Sequence, residues 1–296
     1  MGQKRTCYIA IVGRPNVGKS TLLNHLLGEK VAIVSAKPQT TRNRIVGILT
    51  EGDDQFVFLD TPGIFSPRNA LGEFMVKTAD SSIQDADAVI LMADAQKPIT
   101  SVEEKVIASV KQSGLPCILA LNKVDVTSHE DVAARLTDYA ARHDFAAYVP
   151  MCAKNGRNVD ALLKECATFL EEGEWYFPED MATDQPMRQM AAELIREKVL
   201  RTMDKEIPHG VAVVIEEFTE EEGLVRIRAE IFCEKESHKG IIVGKGGEGL
   251  KRIGSYARAD LEKMLDCKVY LNLWVKVKEN WRESAKTVSN FGYREE

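Results

Sequence analysis

Gly13-Arg14-Pro15-Asn16-Val17-Gly18-Lys19-Ser20 constrains this chain more than any other stretch. It fits the pattern GxxxxGK[ST] and stands between an apolar run, Tyr8–Val12, and a helical run that opens at Thr21. A glycine-bounded turn in that setting wraps the backbone so that successive N–H groups point inward at phosphate oxygens. The helix behind it adds the positive end of its dipole. Lys19 would neutralise the β- and γ-phosphates, and the Ser20 hydroxyl would ligate Mg2+. Alone, the loop means only a nucleoside triphosphate, so kinases and ATPases stay open.

The surrounding pattern fits such a loop. Strands are expected at Tyr8–Val12, Phe56–Leu59, Ala88–Met92, Cys117–Leu121 and Ala147–Pro150, with helical stretches such as Glu103–Ser113 and Val132–Arg142 between them. Strands alternating with helices predict an α/β domain, a mostly parallel sheet covered on both faces. We assign it to residues 1–172. Glu-Glu-Gly-Glu, Pro178 and Asp-Gln-Pro then break the pattern, predicting a linker or tethered loop over 173–190.

Residues 191–296 follow a different grammar. A helix over Met187–Asp204 leads into two alternating strands, Val211–Phe218 and Leu224–Glu234. In the second, Val225, Ile227, Ala229 and Ile231 face one way, and Arg226, Arg228 and Glu230 the other. A Gly-rich turn, a helix to about Leu265, a strand Lys268–Val277 and a short helix complete an α+β order of α-β-β-α-α-β, given a helical segment before the turn.

Further motifs select the base. Asn122-Lys123-Val124-Asp125 follows the strand Cys117–Leu121, at the carboxyl edge where such sheets bind ligands. The Asp125 carboxylate can accept hydrogen bonds from guanine N1–H and the 2-amino group. Adenine lacks that amino group, and its N1 is an acceptor that would oppose the carboxylate, so rejection is strong. Asn122 would brace the loop, and the Lys123 stem would lie along the base. Cys152-Ala153-Lys154, after Ala147–Pro150, resembles the [SC]AK loop whose backbone N–H reads guanine O6.

Asp60-Thr61-Pro62-Gly63 ends the strand Phe56–Leu59 and places Asp60 to hold Mg2+, directly or through water. The Gly63 N–H could contact the γ-phosphate, which makes this loop a sensor. Gln39-Thr40-Thr41-Arg42 offers a second Mg2+ ligand, and Thr41 is favoured over Thr40. The switch set is therefore Thr40, Thr41, Asp60, Thr61, Pro62, Gly63 and Ile64. Many GTPases orient the attacking water with a Gln just after this glycine. Ile64 cannot, so slow intrinsic hydrolysis of GTP to GDP is expected.

Gly244-Lys245-Gly246-Gly247 matches the GxxG loop of a KH module, which approaches the sugar-phosphate chain of single-stranded RNA closely. Ile241, Ile242 and Val243 would line a groove for unstacked bases, with Lys239, Lys251, Arg252 and Arg258 nearby. Between Lys235 and Lys286 stand 12 Lys and Arg against 7 Asp and Glu, a basic island in a chain of net charge -6.

Composition sets outer limits. The 44% apolar and 28% charged fractions are those of a folded soluble protein. The six cysteines (Cys7, Cys117, Cys152, Cys166, Cys233 and Cys267) form no CxxC pair, which predicts reduced thiols and no zinc site. The N-terminus does not read as a signal peptide. No window approaches the ~20 apolar residues of a membrane span.

Taken together, GRPNVGKST, QTTRNRIVGI, DTPGI, NKVD and HKGIIVGKGGEGLKRIG make the chain resemble the bacterial Era GTPase family from about Thr6 to Phe291. The resemblance implies a type II KH domain after the GTPase domain. It also implies a GTP-switched factor that binds the 3′ end of small-subunit ribosomal RNA and assists 30S assembly, with peripheral inner-membrane association; a cytoplasmic monomer is expected. Within the wider group sharing GxPNxGKS and an apolar residue after DxxG, Asn16 would help hold a potassium ion beside the phosphates; a loop-stabilising role for Asn16 stays open. Cys152 stands where Ser is commoner. An RNA chaperone with a vestigial nucleotide domain is disfavoured by intact Lys19, Ser20, Asp60 and Asp125. A small-molecule kinase is disfavoured by the base reader, and an elongation-type GTPase by the absence of an all-β second domain.

Overall fold

Complete burial from Ile9 to Val12 fixes the place of strand β1 (Arg5–Val12). A strand buried on both faces belongs inside a sheet with helices on either side. The computed structural model describes residues 3–203 and 207–294. Its first sheet runs β2 (Ile45–Glu51), β3 (Asp54–Asp60), β1, β4 (Ala88–Asp94), β5 (Cys117–Asn122), β6 (Ala147–Pro150). Neighbours from β3 to β6 pair in parallel, whereas β2 is antiparallel to β3. Alternate residues of β1 enter separate cores. Ile9 and Ile11 pack with Leu22, Phe58 and Leu162, and Ala10 and Val12 with Leu91, Val106 and Val110. The covering helices are α1 (Lys19–Leu27), α2 (Ala70–Gln84), α3 (Ser101–Ser113), α4 (His129–Ala140) and α5 (Val159–Cys166).

The expected strands are present and mostly longer, while β2, α2 and α5 are additions to the sequence reading. Helix α4 begins at His129 rather than Val132, because the Ser128 hydroxyl accepts the Asp131 N–H at 3.1 Å and caps it there.

The predicted linker is largely structured. Strand β7 (Glu171–Glu172) pairs with Arg5 and Thr6 of β1. Beyond it, the Gln55 side-chain oxygen Oε1 accepts the N–H groups of Tyr176 and Phe177 at 3.0 and 3.1 Å, and the Thr183 hydroxyl donates to the Val46 carbonyl at 2.6 Å. By contacts, residues 173–184 therefore belong to the first unit, and the second comprises 33–40, 68–74 and 185–296. Helix α6 (Met187–Thr202) already starts inside the expected linker; the predicted helix end, Asp204, lies outside the described residues.

The second unit holds a three-stranded sheet in the order β10 (Lys268–Val277), β9 (Leu224–Cys233), β8 (Ala212–Glu221). The β8–β9 pair is antiparallel and β10 runs parallel to β9. One face carries α6 and α8 (Glu248–Leu265) over Ile195, Val199, Ile227, Ile231, Ile253 and Leu261. Helix α7 (Glu236–Val243) fills the segment before the Gly-rich turn, and α9 (Ala285–Asn290) is the last helix among the described residues. On α6, Arg196, Glu197 and Lys198 are all buried. They are paired: Glu197 accepts the Val34 N–H at 3.0 Å, Arg196 bonds the Thr40 carbonyl, and Lys198 bonds Asp260.

Candidate guanine-nucleotide site and RNA groove

Strand β1 ends at Val12, and the chain turns through Gly13–Gly18 into α1, with no room for a side chain at Gly13 or Gly18. Gly18 has φ 109°, and a Cβ there would lie 2.4 Å from the Asn122 amide nitrogen. That close approach serves Asn122. Its Nδ2 donates to the Val17 carbonyl at 2.7 Å, and its Oδ1 accepts the Ala153 N–H at 2.9 Å. One side chain thus ties the phosphate loop, the NKVD turn and the Cys152–Lys154 loop together. Ala153 N–H is therefore already engaged by Asn122. Asp125 lies exposed in a short helical turn, Val124–Val126, with its carboxylate accessible.

Lys123 adds a second tie, absent from the sequence reading. Its Nζ donates to Asp94 Oδ2 at 2.8 Å and to the Asn16 carbonyl at 3.1 Å. Arg14 lies 3.8 Å from the same Asp94 and 3.2 Å from buried Glu103. Asp94 closes β4 at the sheet's carboxyl edge; its signal was an acidic residue ending an apolar strand. Asn16 is exposed, with φ 63°.

Lys19 is buried, its Nζ donating to the carbonyls of Gly13 and Arg14, each at 3.2 Å. Burial lowers its pKa to about 8, partly opposed by the Asp60 charge. Burial raises Asp60 to about 6, against Lys19 and the Ser20 hydrogen bond. Two buried opposite charges without contact are poorly placed unless a ligand completes them.

Ser20, Thr41 and Asp60 converge. Ser20 Oγ donates to Asp60 Oδ2 at 2.6 Å and lies 2.8 Å from Thr41 Oγ1. The other Asp60 oxygen is buried without a hydrogen-bond partner. An orphaned carboxylate oxygen beside two hydroxyls is a hard-oxygen donor set of the kind that suits Mg2+. Thr40 turns its hydroxyl to the Lys37 carbonyl at 2.7 Å instead.

Thr61 anchors the next loop, donating through its hydroxyl to the Ile11 carbonyl at 2.8 Å. Pro62 leads into Gly63, which packs on Pro15: a Cβ there would fall 2.6 Å from the Pro15 nitrogen. Ile64 is buried, and its N–H donates to the Gly13 carbonyl at 3.1 Å. Thr21 lies within the first turn of α1, after Ser20.

In the second unit a groove of about 450 Å³ lies between α8 and β10. Gly247, Lys251 and Arg258 of the expected RNA set line it, together with Leu250, Gly254, Ser255, Leu271 and Leu273. The β10 leucines were legible as the inward phase of an alternating strand. Gly244–Gly247 forms the turn into α8, with Lys245 and Gly246 exposed. Lys251, Arg252 and Arg258 are exposed on α8, and Lys239 is partly buried on α7. Of Ile241, Ile242 and Val243, expected to line a groove for bases, Ile242 is corrected, because the three lie on a helix where successive residues point about 100° apart. Ile242 is fully buried in the core, Ile241 is exposed, and neither they nor Val243 line the groove.

Among the described residues, no cluster of His, Cys, Asp and Glu is arranged to hold a metal by itself, and no helix is long and apolar enough to cross a membrane. All six cysteines are free.

A phosphate loop with a guanine-reading turn at the carboxyl edge of a mostly parallel sheet, joined to a KH-type unit, defines an RNA-binding class of P-loop GTPase. Family models agree: residues 8–123 match one described as "50S ribosome-binding GTPase", and residues 206–282 match the KH domain. GTPase Era of Clostridium novyi is 48% identical over 97% of this chain and 98% of its own. Era of Clostridioides difficile is 48% identical over 97% and 98%. Among solved structures, a single-residue variant of Aquifex aeolicus Era bound to GDP and AlF4− is 41% identical over 98% of this chain and 99% of its own, with a TM-score of 0.94. Era in complex with MgGDPNP and nucleotides 1506–1542 of 16S ribosomal RNA gives 41% and 0.95, with the same coverage. The chain belongs to the Era family of GTPases and is a GTP hydrolase.

Proposed function

We propose that this protein is a GTP-gated factor that binds the 3′ end of small-subunit ribosomal RNA and acts in assembly of the 30S subunit. The observation that carries the reading is the relative solved with MgGDPNP and a 16S ribosomal RNA fragment, which matches this chain over both units. The glycine turn and the groove floored by Leu271 and Leu273 supply, in this chain, a surface of matching chemistry.

In this reading Gly13–Thr21 and Gly63 hold the phosphates, Asp125 reads guanine N1–H and the 2-amino group, and Asn122 fixes the frame. Ser20, Thr41 and Asp60 hold Mg2+, which when bound neutralises the β- and γ-phosphate oxygens. Asn16 lends its side chain to a potassium ion beside them. Because Ile64 is apolar and buried, this chain offers no side chain there to orient the attacking water, and hydrolysis is slow until a partner or ion assists. The factor works as a cytoplasmic monomer, and any membrane association is peripheral.

RNA crosslinking in cells, with the bound sequence read out, tests the reading. Wild type should enrich the small-subunit 3′ end, and Lys19→Ala should lose that nucleotide-dependent enrichment. Enrichment of unrelated RNA, or none, would overturn it. Equal hydrolysis rates in sodium and potassium buffers would remove the role given to Asn16.

A further inference from the structure

Strand β10 has two chemically distinct faces, and only one belongs to the groove. Val269, Leu271, Leu273 and Val275 point to the helices; Tyr270, Asn272, Trp274 and Lys276 point away, as period-2 alternation requires. Tyr270 is 56% exposed and Trp274 57%. Large aromatic rings left in water on a sheet that has a core to join are unusual enough to ask what they meet.

Their neighbours are polar. Tyr270 lies opposite Arg226, Asn272 opposite Arg228, and Trp274 opposite Glu230. The Arg226 guanidinium sits 5.6 Å from the Tyr270 ring centre. The two rings, four residues apart on one strand, are separated by roughly 13 Å, so each is a separate platform. Rings interleaved with Arg and Asn suit bases, which offer flat faces and hydrogen-bonding edges.

Position selects the occupant. β10 is an edge strand of its sheet. The groove wall, Leu271 and Leu273, alternates residue by residue with Tyr270, Asn272 and Trp274 on that same edge. A chain leaving the groove across the edge meets the aromatic face at once. We propose that single-stranded RNA seated in the groove continues over the free edge of β10 onto the outer sheet face, where Tyr270 and Trp274 stack its bases. The proposal rests on the RNA-binding reading of the groove.

Charge adds a signature. Arg226 pairs with Glu221 at 2.8 Å, Arg228 lies 3.9 Å from Glu217, and Lys276 pairs with Glu230. Paired cations neutralise few phosphates. The outer face therefore contributes through stacking, and its share of affinity is nearly independent of salt, unlike that of Lys251 and Arg258.

The test uses the full chain with a GTP analogue and two synthetic RNAs of the small-subunit 3′-terminal sequence. One has about four nucleotides, the span a GxxG loop clamps, and the other about twelve. Trp274→Ala and Tyr270→Ala should each weaken the longer RNA by about tenfold at both low and high salt, and leave the shorter unchanged. Trp274→Phe should restore most of the affinity, and the part of the tryptophan emission that Trp274→Phe removes should be quenched by the longer RNA only. Unchanged affinity for the longer RNA in both alanine variants, or equal losses for both RNAs, would overturn the proposal. So would intact RNA affinity with weakened binding to 30S subunits, which would make the face a protein contact. Gly246→Asp separates the two readings: it should weaken both RNAs, and if it weakens neither, the groove reading fails instead.

Discussion

The Ser20 hydroxyl lies 2.8 Å from that of Thr41, although 21 residues separate them, and both stand beside the orphaned carboxylate oxygen of Asp60. Thr40, one residue earlier, bonds the Lys37 carbonyl instead. Thr41→Ala should therefore reduce Mg2+-dependent affinity for a GTP analogue by about tenfold or more, the scale on which lost support for a metal acts. Thr40→Ala should leave it within about twofold. Titrations of a fluorescent analogue across Mg2+ concentrations check both, and a larger loss in the Thr40 variant would reverse the assignment.

Lys19 yields a proton-linkage prediction. Burial holds its pKa near about 8 in the free protein. A phosphate accepting from Nζ raises it, so the bound form takes up protons around that pH. Calorimetry of MgGDP binding in buffers of different ionisation enthalpy should show uptake of about half a proton at pH 8, turning to a release of about 0.2 proton near pH 6.5, where the lysine is already charged and Mg2+ displaces the proton that Asp60, raised to about 6, still partly holds. Proton release at pH 8 would contradict the sign.

Asn122 and Asp125 lie three residues apart but should fail differently. Asn122→Ala removes bonds to the Val17 carbonyl and the Ala153 N–H, so loop and base reader lose their common brace. At about 1 kcal/mol per bond, affinity for guanine and xanthine diphosphates alike should fall by roughly 30-fold. Asp125→Asn leaves the brace and inverts one hydrogen-bonding partner. It should weaken GDP and strengthen xanthosine diphosphate, as competition binding would show.

Much of this site was legible because phosphate and guanine recognition depend on short, contiguous runs whose spacing is set by backbone geometry. The order Gly13–Ser20, Asp60–Gly63, Asn122–Asp125 needs no knowledge of distant contacts. What escaped depended on partners remote in sequence. Strand β2 carries Gly47 at its centre, which lowers its strand signal. The structure supplies the reason, since a Cβ there would lie 2.5 Å from Leu23 of α1. The Lys123–Asp94 pair required knowing that β4 and β5 are neighbours. The three residues Ile241–Val243 looked like one apolar wall because the sequence left the helical period of α7 undecided; Ile242 turns inward and Ile241 outward. The segment 173–184 reads as a linker by composition, yet the buried Gln55 side chain holds it through two backbone N–H groups.

Gly63 tests the sensor loop without touching a charged group. A Cβ at this position would lie 2.6 and 2.7 Å from the Pro15 nitrogen and Cα, backbone atoms that cannot rotate away. In Gly63→Ala the loop must shift from the phosphate turn, and the Ile64–Gly13 hydrogen bond is lost with it. GDP, which has no γ-phosphate to meet the Gly63 N–H, should bind within a few-fold of wild type. GTP hydrolysis should fall by about a hundredfold, the scale of a lost transition-state donor. Single-turnover rates beside GDP titrations decide, and an unaltered rate would mean the loop does not report on the γ-phosphate.

The groove of the second unit should carry the salt dependence of RNA binding. Lys251 and Arg258 line it from α8, and both are exposed. If each neutralises one phosphate, Lys251→Ala and Arg258→Ala should each lower the slope of log affinity against log salt by about 0.7, the single-strand value, and by about twice that together. Leu273→Ala removes apolar floor with no charge, so it should weaken RNA while leaving the slope unchanged. The reading stands on that contrast between slope and intercept, measured by anisotropy at four or more salt concentrations. Equal slopes in all three variants would place the phosphate contacts elsewhere on the basic island.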